Sequence, residues 1–131
     1  MEREKMIEAL AQIVGKENVL FSDTDLLLYG YDASLFKGKP ECIVLPGSTE
    51  EVSKVVKFAH KGKIPIIARG SGTNLSGGTV PTRGGIILHL SRMNRILEID
   101  VDNQRAVVEP GVFTLVLKNQ LARHGFVYQP D

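Results

Sequence analysis

Residues 69–85, with the sequence RGSGTNLSGGTVPTRGG, decide how the rest of the chain is interpreted. They lie between two apolar runs, residues 64–68 and 86–90, that are typical of buried strands. A connection of this length without apolar periodicity of its own is usually functional. It contains almost half of the chain's 13 glycines, namely Gly70, Gly72, Gly77, Gly78, Gly84 and Gly85.

The glycines favour an anion-binding conformation of this segment. Glycine permits positive φ and has no Cβ, so successive backbone N–H groups can point toward one phosphate. Arg69, at the end of the first apolar run, adds a fixed cation. The short side chains that offer further hydrogen bonds are Ser71, Thr73, Asn74, Ser76 and Thr79. The segment therefore predicts a cradle for a pyrophosphate. The alternative that composition leaves open is a surface hairpin rich in turn residues.

Two common phosphate-binding motifs do not fit this segment. The dinucleotide fingerprint GxGxxG begins at Gly70 and Gly72, but Leu75 stands where the third glycine belongs and no helical pattern follows. The P-loop pattern that begins at Gly72 has Gly78 where its lysine belongs. The segment thus favours holding a pyrophosphate over cleaving it.

Composition limits the class of protein. The 131 residues amount to one domain or less, and 43% are hydrophobic, which supports a modest core. The net charge of +1 and the lack of a basic stripe argue against nucleic acid or an anionic membrane as partners. Every apolar run is far shorter than the ~20 residues that span a bilayer. The single Cys42 excludes an internal disulfide.

The first 40 residues predict a helical extension. A helix from Glu2 ends at Gly15, and a second, short helix capped by Ser22 and Asp25 runs to Tyr29. The first helix is charged and amphipathic, unlike a secretory signal, so we expect a cytoplasmic protein. Its apolar face comprises Met6, Ile7, Leu10, Ile13 and Val14. Residues 31–40 are predicted to be irregular.

A βαβ unit follows. Residues 42–45 predict a strand, and Ser48 with Glu51 predicts a capping box that starts a helix closed by Gly62. The face of this helix that we expect to be buried consists of Val52, Val55, Val56 and Ala59. The next strand, residues 64–68, should run parallel to the first. The glycine-rich segment then leaves its carboxyl end, the edge where α/β sheets bind ligands.

The remaining residues predict a strand, a hairpin and a helix. Residues 86–90 form the strand, and residues 96–101 and 105–109 form a β-hairpin around Asp102 and Asn103. Thr114 is predicted to cap a helix that reaches His124, with Gly125 as its C-terminal stop. Residues 126–128 predict the start of a further strand. Together, these elements predict an α+β protein.

No catalytic constellation is evident in the sequence. The histidines at positions 60 and 124 close helices, where a role at the helix dipole is expected, and His89 fits a hydrogen-bonded position in a strand. No HExxH or GxSxG motif occurs. Glu109 is the best-placed carboxylate, although a solvated strand end explains it equally well. The residues alone therefore indicate a binder of a pyrophosphate or dinucleotide, in which a cofactor would supply any difficult chemistry.

Specific sequence runs extend this interpretation. The run IVLPGSTEEVSKVVKFAHKGKIPIIARGSGTNLSGGTVPTRGGIILHLSRMNRILEID, with AVVEPGV and HGFVYQPD after it, resembles the FAD-binding domain of the FAD-linked oxidases typified by p-cresol methylhydroxylase and vanillyl-alcohol oxidase. Within that group it is most similar to glycolate oxidase FAD subunits and D-lactate dehydrogenases. The resemblance covers the chain from about Tyr31 onward.

The resemblance implies a fold and a cofactor site. It implies an FAD-binding domain of the p-cresol methylhydroxylase type, with a small parallel βαβ subdomain at residues 41–95 and the start of a mainly antiparallel α+β subdomain at residues 96–131. FAD would lie between the two, bound non-covalently because Thr73 occupies the place where some relatives attach flavin to histidine. The implied cofactor-binding residues are Pro46, Ala68, Arg69, Gly70, Ser71, Gly72, Thr73, Asn74, Leu75, Ser76, Gly77, Gly78, Val80, Pro81, Glu109, Pro110, Gly111, Pro130 and Asp131.

The function that the resemblance implies is oxidation of a small 2-hydroxy acid, such as glycolate or D-lactate, by hydride transfer to FAD. Electrons would then pass to a quinone, a cytochrome or an electron-transfer subunit. The family continues into a second glycine-rich segment and a substrate-binding cap, neither of which is present, so we expect this chain alone to be inactive. The alternatives are a stand-alone nucleotide-binding or assembly module and the reductive branch that acts on cell-wall nucleotide sugars.

Overall fold

The computed structural model describes residues 2–29, 40–70 and 84–128. It contains four α-helices and six strands in these ranges. In chain order they are α1 (Arg3–Val14), β1 (Val19–Leu20), α2 (Asp23–Tyr29), β2 (Cys42–Val44), α3 (Thr49–Gly62), β3 (Ile66–Arg69), β4 (Ile86–His89), β5 (Ile96–Asp100), β6 (Arg105–Val108) and α4 (Thr114–Ala122). A 3₁₀ turn, Lys16–Asn18, joins α1 to β1. The predicted α+β class is confirmed.

The first sheet has the strand order β1-β2-β4-β3. β4 pairs in parallel with both β2 and β3, whereas β1 pairs antiparallel with β2. The predicted parallel orientation of β2 and β3 is therefore confirmed, although β4 lies between them. β1 was not predicted, because two apolar residues are too few to show a strand period.

The parallel pairing of β3 with β4 excludes the hairpin alternative for the glycine-rich segment. A hairpin joins antiparallel neighbours, whereas parallel neighbours need a crossover. Gly70 follows the carboxyl end of β3 and Gly84 precedes the amino end of β4, so these two residues lie at opposite edges of the sheet.

The core occupies both faces of this sheet, which explains why its strands read as continuous apolar runs. One face packs α1 and α3 against Cys42, Val44, Ile86 and Leu88. The other packs Leu26 of α2 against Ile43, Leu45 and Ile87. Burial also raises the pKa of the Cys42 thiol to about 12, so this thiol stays protonated at pH 7.

The starts and ends of α1 and α2 follow the sequence, whereas parts of α3 and α4 differ from it. Gly15 ends α1 with a φ of 96°, and the Ser22 and Ser48 hydroxyls accept backbone N–H groups at the starts of α2 and α3, as predicted. However, α3 includes Gly62, and the left-handed residue is Lys63 (φ 54°). Val56 was predicted to be buried but is 45% exposed, because the buried face of α3 consists of Val55 and Ala59 with Val52 and Phe58 beside them. Thr114 does not cap α4, because Phe113 holds the N-cap position.

The second sheet is the predicted hairpin of β5 and β6. Its connection has four residues, so Val101 belongs to the turn, and the Asp100 carboxylate accepts both the backbone and side-chain N–H groups of Asn103. Residues 126–128 form no strand, which contradicts the prediction, and Val127 is 81% exposed. An apolar run predicts a strand only where another strand is available to pair with it.

No helix in the described ranges has the length and apolar character needed to cross a membrane.

Gly111 joins the second sheet to the first. Its N–H donates to the Met93 carbonyl oxygen over 2.7 Å. A Cβ on Gly111 would overlap the Leu90 carbonyl oxygen and lie 2.7 Å from that of Met93. Both carbonyls belong to backbone that follows β4, so the glycine is required by close approach.

We predict that Gly111→Ala lowers the free energy of unfolding by about 1–3 kcal/mol, because the backbone must shift to admit the methyl group. Urea denaturation followed by circular dichroism measures the change. The matched control is Gly62→Ala in α3, where the nearest atom is the flexible Ile64 Cδ1 at 3.1 Å. This control should leave stability unchanged or raise it by about 0.5–1 kcal/mol. Equal stability of Gly111→Ala and the unsubstituted chain would contradict the prediction.

Candidate cofactor-binding site

The carboxyl edge of the first sheet brings together the described part of the predicted site. β2, β3 and β4 are parallel and in register, with Val44, Ala68 and Leu88 in one row, so all three strands end at this edge. Ala68, Arg69 and Gly70 lie here at the end of β3. Pro46 lies here just past β2, and its ring is fully buried. Four residues from distant parts of the sequence thus share one edge.

Most of the predicted site lies outside the described residues. This holds for Ser71, Gly72, Thr73, Asn74, Leu75, Ser76, Gly77, Gly78, Val80, Pro81, Pro130 and Asp131. Their roles stay predictions.

The turn after β2 is held by side chains of α3. The Ser48 hydroxyl accepts the Glu51 N–H over 3.1 Å, and the Glu51 carboxylate accepts the Gly47 N–H over 2.8 Å. The Glu51 side chain thus reaches back to the residue before the N-cap. Because both bonds anchor the turn to the start of α3, the backbone after Pro46 has a defined direction at the carboxyl edge.

Arg69 and His89 are register partners at this edge. Burial, and then the positive charge of Arg69, lowers the pKa of His89 below its ordinary value of 6.5. The imidazole is therefore neutral at pH 7, and its Nδ1 accepts the Ser91 N–H over 3.4 Å. This agrees with the predicted hydrogen-bonded strand histidine. Arg69 thus contributes a positive charge beside a neutral ring.

Glu109 lies at the junction of the two sheets and is buried. Its Oε1 accepts the Arg95 backbone N–H over 2.9 Å and Nε over 2.8 Å, and its Oε2 accepts Arg95 Nη2 over 3.3 Å. Hydrogen bonds from the Arg95 side chain and backbone lower the pKa of this carboxyl below 4.5. The carboxylate is therefore buried and anchors Arg95. It is not the solvated group at a strand end that the sequence left open as an alternative. The next two residues, Pro110 and Gly111, continue toward the backbone after β4.

No role was predicted for Arg92 and Arg95, although both stand in the segment LSRMNRI of the run that carries the family resemblance. Arg92 Nη1 donates to the Leu45 carbonyl oxygen over 2.7 Å and lies 3.9 Å from Glu51 Oε1. The partners of each arginine are at least 14 residues distant in sequence. The only signal in the sequence was two arginines directly after a buried strand that leads to the ligand edge.

The comparisons with known proteins agree with this geometry. The sequence profile of a family described as the FAD binding domain matches residues 40–131. The chain belongs to this family.

Three relatives illustrate the similarity. Glycolate oxidase subunit GlcD of Bacillus subtilis is 42% identical over 95% of this chain and 27% of its own. A D-lactate dehydrogenase of Anaerostipes hadrus is 36% identical over 100% of this chain and 26% of its own. The crystal structure of p-cresol methylhydroxylase with substrate bound aligns with a TM-score of 0.77, at 28% identity, over 93% of this chain and 25% of that one. The chain thus spans about a quarter of the length of these relatives, and the predicted FAD-binding fold of the p-cresol methylhydroxylase type is confirmed.

The described residues fit FAD, the cofactor of this family. A pyrophosphate needs backbone N–H groups and cations that are not neutralised by acids. The carboxyl edge supplies Arg69 where the glycine-rich segment begins, and the acids nearest the strand ends are paired: Glu51 lies by Arg92, and Glu109 binds Arg95. Within the same described ranges, no group of three potential ligands for a metal ion occurs.

We predict that Glu109→Gln lowers the melting temperature by several degrees at pH 7, because the charged pairing with Arg95 is lost. The folded-state pKa of Glu109 is lowered, so its stabilisation is complete above pH 4.5 and is lost as pH falls below that value. The variant should therefore show a shallower decline in melting temperature below pH 4.5. Differential scanning fluorimetry across this range tests both points.

The control for this prediction is Glu98→Gln, which changes an exposed glutamate on β5. It should retain both the melting temperature at pH 7 and the decline below pH 4.5. A decline as steep in Glu109→Gln as in the control would show that Glu109 does not contribute.

Proposed function

We propose that this chain is the FAD-binding part of an oxidoreductase that oxidises a small 2-hydroxy acid of the glycolate or D-lactate type. The observation that carries the proposal is the identity to a glycolate oxidase subunit and a D-lactate dehydrogenase along nearly the whole chain. When bound, FAD supplies a two-electron acceptor for the hydride on the substrate α-carbon. The word "subunit" in the name of the Bacillus subtilis relative supports a separate electron-transfer subunit as a partner.

Each part of the site has a proposed task. The segment 68–78 binds the pyrophosphate through backbone N–H groups, with Arg69 as the cation. Val80 and Pro81 contact the ribityl and flavin portions. The remaining proposed contacts with FAD come from Pro46, Glu109, Pro110, Gly111, Pro130 and Asp131. The FAD is non-covalent, because Thr73 offers no imidazole for attachment.

We further propose that residues 96–131 form only part of the second subdomain, and that the 131-residue chain alone does not turn over substrate. The support comes from burial: a two-stranded sheet needs a partner surface to be stable. Leu117 is the only large apolar side chain buried within the described residues 96–128. Exposed there are Leu97, Val101, Val107, Phe113, Leu115, Val116, Val127 and Tyr128. A cytoplasmic location is also proposed, on the charged and amphipathic character of α1.

We predict that Gly72→Val in the full-length polypeptide abolishes flavin retention, because a β-branched side chain occupies the space of the phosphates and resists positive φ. The flavin-to-protein absorbance ratio after gel filtration measures retention. Ser53→Val, on the exposed face of α3, introduces the same side chain away from the site and should retain flavin. Full flavin content in Gly72→Val would contradict the pyrophosphate cradle.

The substrate class is tested by anaerobic bleaching of the flavin. We predict that glycolate or D-lactate bleaches the absorbance of the flavin in the full-length protein, and that propionate, which lacks the 2-hydroxyl group, does not. Mass spectrometry of the released cofactor should identify FAD. Flavin that stays oxidised with both hydroxy acids would contradict the proposed substrate class and would favour a nucleotide-binding module without turnover.

A further inference from the structure

Arg92 connects two strand ends at the carboxyl edge of the first sheet. It lies in the turn after β4, and its Nη1 donates to the carbonyl oxygen of Leu45, which directly follows β2. This bond, at 2.7 Å, spans 47 positions of sequence. The Leu45 N–H donates to the Asn18 carbonyl oxygen, so both backbone groups of Leu45 are engaged. The start of the Pro46 turn is thereby fixed to the end of β4.

The same arginine lies beside the group that fixes the end of this turn. Glu51 Oε1 accepts the Gly47 N–H over 2.8 Å, and Arg92 Nη1 is 3.9 Å from that same oxygen. Pro46, between the two anchored residues, has no N–H of its own. The turn is thus restrained at the carbonyl before the proline and at the N–H after it.

Gly47 makes room for the guanidinium group. A Cβ at this position would lie 2.8 Å from Arg92 Nη2 and 3.1 Å from Cζ. A Cβ at this position would therefore displace the end of the Arg92 side chain. Any larger residue would push the guanidinium group away from the Leu45 carbonyl oxygen.

We propose that Arg92 is a positioning residue for the cofactor: it locks the turn formed by Leu45, Pro46 and Gly47 onto the end of β4, so that the backbone of this turn is preorganised for FAD. The inference rests on the proposed location of FAD at this edge. Preorganisation matters because a turn that must be ordered on binding subtracts its entropy cost from the affinity. The guanidinium group acts through the turn, since its Nη1 is directed at the Leu45 carbonyl oxygen and the Glu51 carboxylate.

A second arginine offers a matched control at the opposite edge of the sheet. Arg3 also donates to backbone carbonyl oxygens, those of Phe21 and Glu41, and forms an ion pair with Glu41. Glu41 precedes β2, so this contact restrains the amino end of the same strand. The side chains of Arg3 and Arg92 are similarly exposed, at 46% and 40%. Loss of either should cost comparable stability, whereas only Arg92 lies near the cofactor.

The experiment measures FAD affinity of the full-length apoprotein by flavin fluorescence, and the apoprotein melting temperature in parallel. We expect Arg92→Met and Gly47→Ala each to raise the Kd for FAD about tenfold. Because both changes remove the same contact, the Kd of the double variant should lie within about twofold of the higher of the two single-variant Kd values. Arg3→Met should lower the melting temperature as much as Arg92→Met does, with an unchanged Kd.

Three results would overturn the role of Arg92. One is an unchanged Kd in Arg92→Met, and another is an equal loss of affinity in Arg3→Met. The third is a lower Kd in Glu51→Ala, a change that we expect to raise the Kd because the Gly47 N–H loses its acceptor. If Arg92 bound the phosphates directly, removing its acidic neighbour would instead lower the Kd.

The outcome also separates this inference from the proposed site. If Gly72→Val loses flavin while Arg92→Met retains full affinity, the FAD site stands and the positioning role fails. If both variants bind FAD like the unsubstituted protein, the location of FAD at this edge fails as well.

Discussion

The insertion of β4 between β2 and β3, parallel to both, is the constraint on which the rest of the structure depends. Parallel strands in register end at one edge, so the turn after β2, the start of the glycine-rich segment and the backbone after β4 become neighbours. Backbone groups that follow parallel strands are not used up by the sheet and can bind a ligand. The same insertion buries β2 and β4 between helices on both faces. One topological feature therefore supplies both the core and the location of the site.

Arginine and glutamate pairs hold the segments that leave this edge. Arg92 lies by Glu51 at the turn after β2, and Arg95 binds Glu109 where the second sheet begins. Each arginine also orders backbone: Arg92 through the Leu45 carbonyl oxygen, and Arg95 through its own N–H. The Arg92–Glu51 pair is partly exposed, so its attraction contributes little to stability by itself, and its value is geometric. The buried Glu109 differs, because its hydrogen bonds with Arg95 also stabilise the fold. Both pairs leave the acids near an anion-binding edge compensated by nearby positive charge.

The two sheets differ in how completely they are packed. The first has helices on both faces and a core that includes fully buried Leu10, Ile43 and Val55. The second is a hairpin with one helix, and the Gly111 N–H, which follows the hairpin, donates to the Met93 carbonyl oxygen in the backbone after β4. Because the chain spans about a quarter of the length of its relatives, the exposed apolar side chains of the second sheet agree with our proposal that further polypeptide covers them.

The sequence by itself determined the helices, most strands and the family, because apolar periodicity, Ser22 and Ser48 caps and the glycine-rich run are local signals. It did not show that β4 separates β2 from β3, or that residues 126–128 form no strand, because pairing joins residues far apart in the chain. It likewise predicted Glu109 as a site residue without revealing its arginine partner. Only the tertiary structure decided that Arg92 reaches Leu45 beside Gly47 and that Gly111 is required by close approach of backbone, since such contacts depend on where distant segments meet.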